Sequence, residues 1–104
     1  MIRDAYVAIA DPTRRQILDL LEVRETLAAG EIAAHFPGVS RPAISRHLRV
    51  LRECGVVKSL PRGKVHHYAV DSRPLTAIRE GWMARFSDRT TNSLAQLRKL
   101  VERK

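Results

Sequence analysis

The sequence has only one cysteine, Cys54, and therefore no internal disulfide bond. A single thiol in a small chain is typical of a reducing compartment. No apolar run approaches the roughly 18 residues that a membrane span requires, and no basic segment followed by an apolar one opens the chain. We therefore expect a soluble, cytoplasmic protein that has no membrane partner.

The sequence shows no arrangement of side chains that is typical of a catalytic site. No nucleophile has a plausible base and orienting partner, and no glycine-rich loop is suited to cradling a phosphate. No pair of carboxylates stands at a suggestive spacing. We predict that the protein is not an enzyme and that it has no cofactor.

Residues that bind metals are also few. The four histidines stand at positions 35, 47, 66 and 67, and residues 74 to 104 contain none. His66 and His67 are adjacent on a predicted strand, so their side chains point to opposite faces and are unsuited to chelating one ion. A thiolate site needs at least two soft ligands, and the chain has one. We predict no metal site, and we interpret His47 as a helix-packing or phosphate-contacting residue.

Cys54 stands at the predicted end of a helix. The helix dipole opposes a thiolate at that end, although Arg52 and Lys58 partly offset this effect. We interpret Cys54 as a small buried residue, and a redox switch at this position remains the alternative.

Charge is unevenly distributed along the chain, whose formal net charge is +8. Residues 1 to 40 contain four basic and six acidic residues, whereas residues 41 to 73 contain eight basic and two acidic ones. A local basic excess of this kind is typical of a nucleic-acid-binding surface. The alternative is a basic surface that is only solvated.

Two helices are predicted in the first quarter of the chain. In IRDAYVAIA the spacing of Ile2, Tyr6 and Ile9 favours a short first helix. In DPTRRQILDLL, Asp11 is suited to the N-cap and Pro12 to the first helical position, where its missing N–H costs nothing.

The next two helices form a predicted helix-turn-helix. The segment AGEIAAHF, residues 29 to 36, is a short helix that ends before a Pro-Gly pair. Ser40 caps a second helix that runs from about Arg41 to Cys54, and Gly55 ends it in the left-handed conformation. Two helices joined by a turn of about four residues are typical of this motif.

A β-hairpin and a long helix follow. The runs VVKSL and VHHYAV are rich in β-formers, and they flank the turn sequence PRGK at residues 61 to 64. Asp71 or Ser72 caps a final amphipathic helix, in which a bend near Thr90 would fit the polar sequence there. Its apolar positions are Leu75, Ile78, Trp82, Phe86, Leu94, Leu97 and Val101.

The second helix of the helix-turn-helix has one apolar stripe. On a helical wheel Leu48 and Leu51 lie within about 40° of Ile44, and this stripe is expected to pack on the core. The opposite face is short, polar and basic, as a helix that enters the major groove requires. We predict that Ser45, Arg46 and Arg49 contact bases and that flanking arginines contact phosphates.

The hairpin tip extends this surface. Gly63 keeps the turn thin, so that Arg62 and Lys64 reach a phosphate or the minor groove beside the helix, although an ordinary surface turn is the alternative. The complete set of predicted DNA contacts is Ser40, Arg41, Pro42, Ser45, Arg46, Arg49, Arg52, Arg62 and Lys64.

These segments together resemble a known family. DPTRRQILDLL, GEIAAHF, VSRPAISRHLRVLRECGVV and RGKVHHYAV, in this order and spacing, are similar to the ArsR-type winged helix-turn-helix repressors over about residues 5 to 72. The last helix, with Trp82 and Phe86, resembles the metal-independent branch. The cysteine pair near the recognition helix and the Asp and His set on the last helix, which metal-sensing members use, are both missing here.

The resemblance implies a fold that is mainly α with a small β-hairpin wing. It also implies a homodimer that pairs its first and last helices, binds double-stranded DNA at an inverted-repeat operator and represses transcription, often of its own gene. We expect one domain over residues 1 to 104, with residues 74 to 104 as a C-terminal dimerisation helix. The predicted interface residues are Ile2, Tyr6, Leu75, Ile78, Trp82, Phe86 and Leu94.

Alternatives remain open at this point. The last helix has more apolar surface than one small domain easily covers, but it is also compatible with an intramolecular core helix. The protein is also compatible with a repressor that responds to a ligand, a metal or redox change, or with a protein-interaction module that retains the fold without reading DNA.

Overall fold

The computed structural model describes residues 4 to 86. In chain order the elements are α1 (Ala5–Ile9), α2 (Pro12–Arg24), β1 (Leu27–Ala28), α3 (Ala29–Ala34), α4 (Arg41–Glu53), β2 (Val57–Arg62), β3 (Val65–Val70) and α5 (Arg73–Ile78). A π-helical turn, Arg79–Met83, follows α5 directly.

The predicted start of α2 and the predicted limits of α4 are confirmed. The Asp11 carboxylate accepts a hydrogen bond from the backbone N–H of Arg14 at 3.0 Å, and the Ser40 hydroxyl accepts one from Ala43 at 3.2 Å. Each bond satisfies a donor that a helix start would otherwise leave unpaired. Gly55 follows α4 with φ of 77°, a conformation that glycine adopts without strain.

The apolar stripe of α4 lies in the core, as predicted. Ile44, Leu48 and Leu51 are at most 2% exposed. Burial of each such side chain stabilises the fold by about 1.5–3 kcal/mol. They join buried side chains of α2, α3 and the residues that lead into β2, of which the largest are Ile17, Leu21, Ile32 and Val56.

The hairpin is part of a three-stranded antiparallel sheet in the order β1-β3-β2. The sequence did not predict β1, because two residues are too short to show an alternating pattern. Leu27 and Ala28 pair with Tyr68 and His67 of the central strand.

The hairpin turn is shorter than predicted. Arg62 pairs with Val65, so both Pro61 and Arg62 belong to β2 and the turn comprises only Gly63 and Lys64. A proline is tolerated in β2 because this strand lies at the edge of the sheet. Gly63 has φ of 64°, which a two-residue hairpin turn favours.

The start of α5 depends on Asp71. Its Oδ1 accepts a hydrogen bond from the backbone N–H of Arg73 at 3.1 Å, and its two oxygens accept from the guanidinium at 2.6–3.2 Å. Ser72 occupies the cap position without a side-chain hydrogen bond, so the capping group is Asp71.

The structure differs from the predicted long amphipathic α-helix after Ile78. The π-helical turn interrupts it, and α-helical geometry returns at residues 84 to 86. Gly81, a weak helix former, stands inside this turn. The predicted bend near Thr90 and the apolar positions beyond it lie outside the described residues.

We predict that Asp71→Asn lowers stability in a pH-dependent way. The Arg73 side chain and backbone N–H hold the pKa of Asp71 at about 2, below its ordinary value of 3.8. A lowered folded-state pKa means that the carboxylate stabilises the fold above about pH 4 and loses this effect as the pH falls through about 2. The difference in Tm between wild type and variant, followed by circular dichroism, should therefore shrink between pH 4 and pH 2. Asp19→Asn is the control at an exposed site, and a constant difference for Asp71→Asn would contradict the prediction.

Candidate nucleic-acid interface

The helix-turn-helix comprises α3, α4 and the six residues between them. The connection is longer than the predicted four residues because α3 ends at Ala34. Arg41, at the start of α4, lies against the backbone of Gly30 in α3. A Cβ atom at Gly30 would be only 3.3 Å from Nη1 of Arg41, so the lack of a side chain at Gly30 leaves room for the guanidinium.

The outward face of α4 is exposed, as predicted. Ser45, Arg46 and Arg49 are exposed, while Ile44 and Leu48 beside them are buried. All nine predicted DNA contacts are exposed, namely Ser40, Arg41, Pro42, Ser45, Arg46, Arg49, Arg52, Arg62 and Lys64. Nε of Arg49 lies 4.0 Å from Oε1 of Glu53, one helical turn further along α4. The Arg49 side chain is nevertheless 68% exposed. Such an exposed pair contributes little to stability and leaves the guanidinium accessible.

A groove of about 320 Å³ lies between α4 and the sheet. Its apolar lining consists of Leu48 of α4, Ala29 of α3 and the ring of Tyr68 from β3. Its polar lining comes from α4 alone and consists of Ser45, Arg46, Arg49 and Arg52. Arginines three residues apart lie on the same side of a helix, so these three point toward one groove. We call this feature the α4 groove.

Sequence reasoning did not find the α4 groove. The helical wheel placed Arg46 and Arg49 on the outward face of α4 and Arg52 on its flank. In the structure, all three arginines line one cavity. Tyr68 was not predicted as a site residue, because nothing in VHHYAV shows which strand face lies against α4.

The hairpin tip is basic and exposed. Arg62 ends β2, Lys64 lies in the turn, and both side chains are exposed. Residues 57 to 70 contain no Asp or Glu, so nothing in the hairpin itself neutralises these two charges. The wing therefore presents a cationic end, as the sequence predicted.

Arg14 links α4 to the first two helices. Its Nη2 and Nε donate hydrogen bonds to the carbonyls of Val7 and Ala8 at 2.8 and 3.1 Å. These carbonyls belong to the last turn of α1, where the Val7 carbonyl also accepts a hydrogen bond from the backbone N–H of Ala10 at 3.3 Å. Nη1 of the same guanidinium lies 3.4 Å from Nδ1 of His47 in α4, which accepts this bond when it carries no proton.

His47 is therefore a packing residue, one of the two roles considered for it from the sequence. Its Nδ1 also lies 3.9 Å from Oδ2 of Asp11. Partial burial alone would raise the pKa of Asp11, but the backbone N–H of Arg14 and the nearby His47 and Arg14 side chains bring this pKa below its ordinary value. Asp11 is thus a carboxylate at neutral pH and favours cations at this junction.

Three aromatic side chains form a cluster on the surface. Tyr6 of α1 packs edge-on against Trp82, with ring centroids 6.2 Å apart, and Trp82 contacts Phe86 at 4.8 Å. The three residues are 44–50% exposed, and so is Met83. We call Tyr6, Trp82 and Phe86 the aromatic cluster.

The other predicted interface residues lie elsewhere. Ile78 is only 7% exposed and belongs to the core, and Leu75 packs against the core. Ile78 is therefore already covered within its own chain. Ile2 and Leu94 lie outside the described residues.

Comparison with known proteins gives the family. A sequence profile described as "Bacterial regulatory protein, arsR family" matches residues 11–59, which include α2, the helix-turn-helix and the start of β2. The transcriptional repressor SdpR of Bacillus subtilis is 36% identical over 89% of this chain and 100% of its own length. The chain belongs to the ArsR family. It is a DNA-binding transcriptional regulator and not an enzyme.

Further similarities agree with this membership. The HTH-type transcriptional regulator Rv2034 of Mycobacterium tuberculosis is 42% identical over 89% of this chain and 84% of its own. The structure of an ArsR-like transcriptional regulator from Rhodococcus sp. RHA1 superposes with a TM-score of 0.73 at 30% identity, covering 96% of this chain and 89% of the other. The fold is accordingly a winged helix-turn-helix, with the β2–β3 hairpin as the wing.

The structure also bears on metal and thiol chemistry in this ArsR protein. Between residues 4 and 86 no three His, Cys, Asp or Glu side chains come together in a way that would hold a metal ion. Cys54 is only 6% exposed and belongs to the core cluster, which agrees with its interpretation as a small buried residue. In the same part of the chain, no helix is long and apolar enough to cross a membrane.

We predict that Arg14→Ala destabilises this ArsR protein by about 1–3 kcal/mol, because the Ala8 carbonyl loses its side-chain donor and the Val7 carbonyl keeps only the backbone N–H of Ala10. Urea unfolding followed by circular dichroism measures this change. Arg24→Ala is the matched control, since the side chain of Arg24 has no hydrogen bond or ion pair with any residue between 4 and 86. Equal unfolding free energies for the two variants would show that the Arg14 contacts are not stabilising.

Proposed function

We propose that this protein is a cytoplasmic repressor that binds an inverted-repeat operator as a homodimer. The observation that carries the proposal is the exposed basic face of α4 next to a basic wing, in a chain whose first 40 residues have an acidic excess. The relative SdpR is named a transcriptional repressor, which supports repression rather than activation.

The proposed contacts divide by their position on α4. Ser45, Arg46 and Arg49 lie on its outward face and address base edges in the major groove. Arginine pairs bidentately with guanine, and each such pair discriminates by about 1–3 kcal/mol. The remaining positions contact the DNA backbone, namely Ser40, Arg41 and Pro42 at the start of α4, Arg52 in its last turn, and Arg62 and Lys64 on the wing.

The proposed dimer interface contains the aromatic cluster. Large aromatic side chains that are half exposed and adjacent are unfavourable in water and typical of an interface core. Tyr6 brings α1 into this patch, while Trp82 and Phe86 bring the last helix. We propose that residues 1 to 104 form one DNA-binding domain, with residues 74 to 104 contributing the dimerisation helix.

The first test is DNA binding by fluorescence anisotropy, with the DNA upstream of the protein's own gene compared with random DNA. We expect saturable, specific binding that weakens steeply as salt rises, because each neutralised phosphate releases counterions. The series is run with and without Zn²⁺. Metal-dependent release would contradict metal independence, and absence of any salt-dependent DNA binding would contradict the function.

We predict different effects for Arg46→Ala and Arg62→Ala in this assay. Loss of a base contact should weaken the preferred sequence and relax its preference at one position, at a cost of about 1–3 kcal/mol. Loss of a backbone contact should weaken all sequences alike and reduce the salt slope. Identical behaviour of the two variants would contradict the division of roles.

We predict that Trp82→Glu converts the dimer to a monomer at micromolar concentration, because it places a charge in the centre of the aromatic cluster. Sedimentation equilibrium of wild type and variant measures the mass. Val23→Glu is the matched control, since Val23 is 78% exposed on α2 and outside the cluster. A wild-type protein that is monomeric, or a Trp82→Glu variant that is still dimeric, would contradict the interface.

A further inference from the structure

We propose that the α4 groove binds a phosphodiester of the DNA backbone, with Arg52 and Tyr68 as its contacts. This inference rests on the proposed function and specifies it, because it adds a strand residue to the DNA-binding surface and says where one strand of the duplex lies.

The path of the DNA backbone suggests the occupant. In a duplex the major and minor grooves alternate, and a sugar-phosphate backbone separates each from the next. If α4 enters the major groove and the wing tip reaches the adjacent minor groove, the intervening backbone must pass between α4 and the sheet. The α4 groove, with Leu48 and Tyr68 on its two sides, occupies that space.

The charge of the groove fits a phosphate. Arg46, Arg49 and Arg52 all line it, and its lining contains no acidic residue. Glu53 lies 4.0 Å from Arg49, whereas in the described part of the chain neither Arg46 nor Arg52 has an ion pair. Guanidinium groups bind phosphate through charged, directional hydrogen bonds. Arg46 and Arg49 are assigned to base contacts, and Arg52 is the member nearest the C-terminal end of α4, so we assign the phosphate to Arg52.

Tyr68 is the uncharged partner. It lies on the central strand, where its backbone pairs with Leu27 on one side and Ser59 on the other, so its position is well fixed. Its side chain is half-buried, and its hydroxyl has no hydrogen bond to any residue between 4 and 86. A tyrosine hydroxyl is a donor that phosphate oxygens accept, and such contacts position a protein without reading sequence.

The hairpin also offers a control. Tyr68 pairs with Ser59, and Lys58 pairs with Ala69, so Lys58 and Tyr68 lie on opposite faces of the same two strands. The hydrogen-bond contact between Ser59 Oγ and His66 Nδ1, at 2.9 Å, joins two further residues of the Tyr68 face. Lys58→Gln therefore removes a positive charge from the hairpin on the side away from the α4 groove.

The test uses full-length wild type, Arg52→Gln, Tyr68→Phe and Lys58→Gln. The duplex is one that the wild type selects from a random pool, and random DNA is the comparison. We expect Arg52→Gln to weaken both DNAs by the same factor, about tenfold. It should also lower the slope of log affinity against log salt by about 0.9 for each protomer bound. Tyr68→Phe should weaken both DNAs by about threefold, with an unchanged slope because no charge is lost.

Single methylphosphonate substitutions in the selected duplex then locate the phosphate. Neutralising the phosphate in the α4 groove should weaken DNA binding by wild type and by Lys58→Gln. It should weaken DNA binding by Arg52→Gln only slightly further, since that variant has already lost the contact. This position should lie between the bases that depend on Arg46 and the flanking minor groove.

The outcomes separate this inference from the proposed function. If wild type selects no sequence and its binding does not depend on salt, the proposed function is wrong. If wild type binds specifically but Arg52→Gln and Tyr68→Phe keep its affinity and slope, only the assignment of the groove is wrong. A changed base preference in Arg52→Gln would also overturn it, because Arg52 would then read a base. Thermal unfolding of each variant confirms that a weakened protein is still folded.

Discussion

The burial of one stripe of α4 is the constraint on which the DNA-binding surface depends. Ile44, Leu48 and Leu51 are held in the core, and this fixes the rotation of the helix about its axis. Because the buried stripe fixes which face of α4 lies against the core, the arginines on the opposite face must point to solvent. Hydrophobic burial thus supplies the energy that orients charged side chains, which contribute little to stability themselves.

Polar contacts then hold α4 in place relative to the rest of the protein. The Arg14 guanidinium binds the end of α1 through two carbonyls and reaches His47 of α4 through its third nitrogen. Tyr6, on the same short helix, packs against Trp82. The proposed dimer surface and the proposed DNA-binding helix are therefore connected through one partly buried junction. A dimer that spaces two copies of α4 along DNA requires such a rigid connection.

The wing and the α4 groove extend the surface beyond one helix. The central position of β3 in the sheet holds Tyr68 opposite the arginines of α4, while the glycine turn carries Arg62 and Lys64 to the end of the hairpin. The exposed basic face of α4, the α4 groove and the basic tip then follow one another across the surface. This order matches the alternation of major groove, backbone and minor groove in a duplex.

Features that depend on neighbouring residues were predictable from the sequence. The caps at Asp11 and Ser40, the stripe of α4 and the left-handed Gly55 all follow from local hydrogen bonding, helical periodicity and backbone sterics. These features determine which residues form the exposed basic face, and so most of the candidate site.

Contacts between distant segments were not predictable in the same way. Three such contacts form only when the helices pack on the sheet: the pairing of β1 with β3, the contact between Arg14 and His47, and the position of Tyr68 in the α4 groove. Their partners are tens of residues apart in the chain, so no local sequence pattern predicts them. The sequence by itself determined which helix presents arginines to a partner, and the tertiary structure decided what surrounds them.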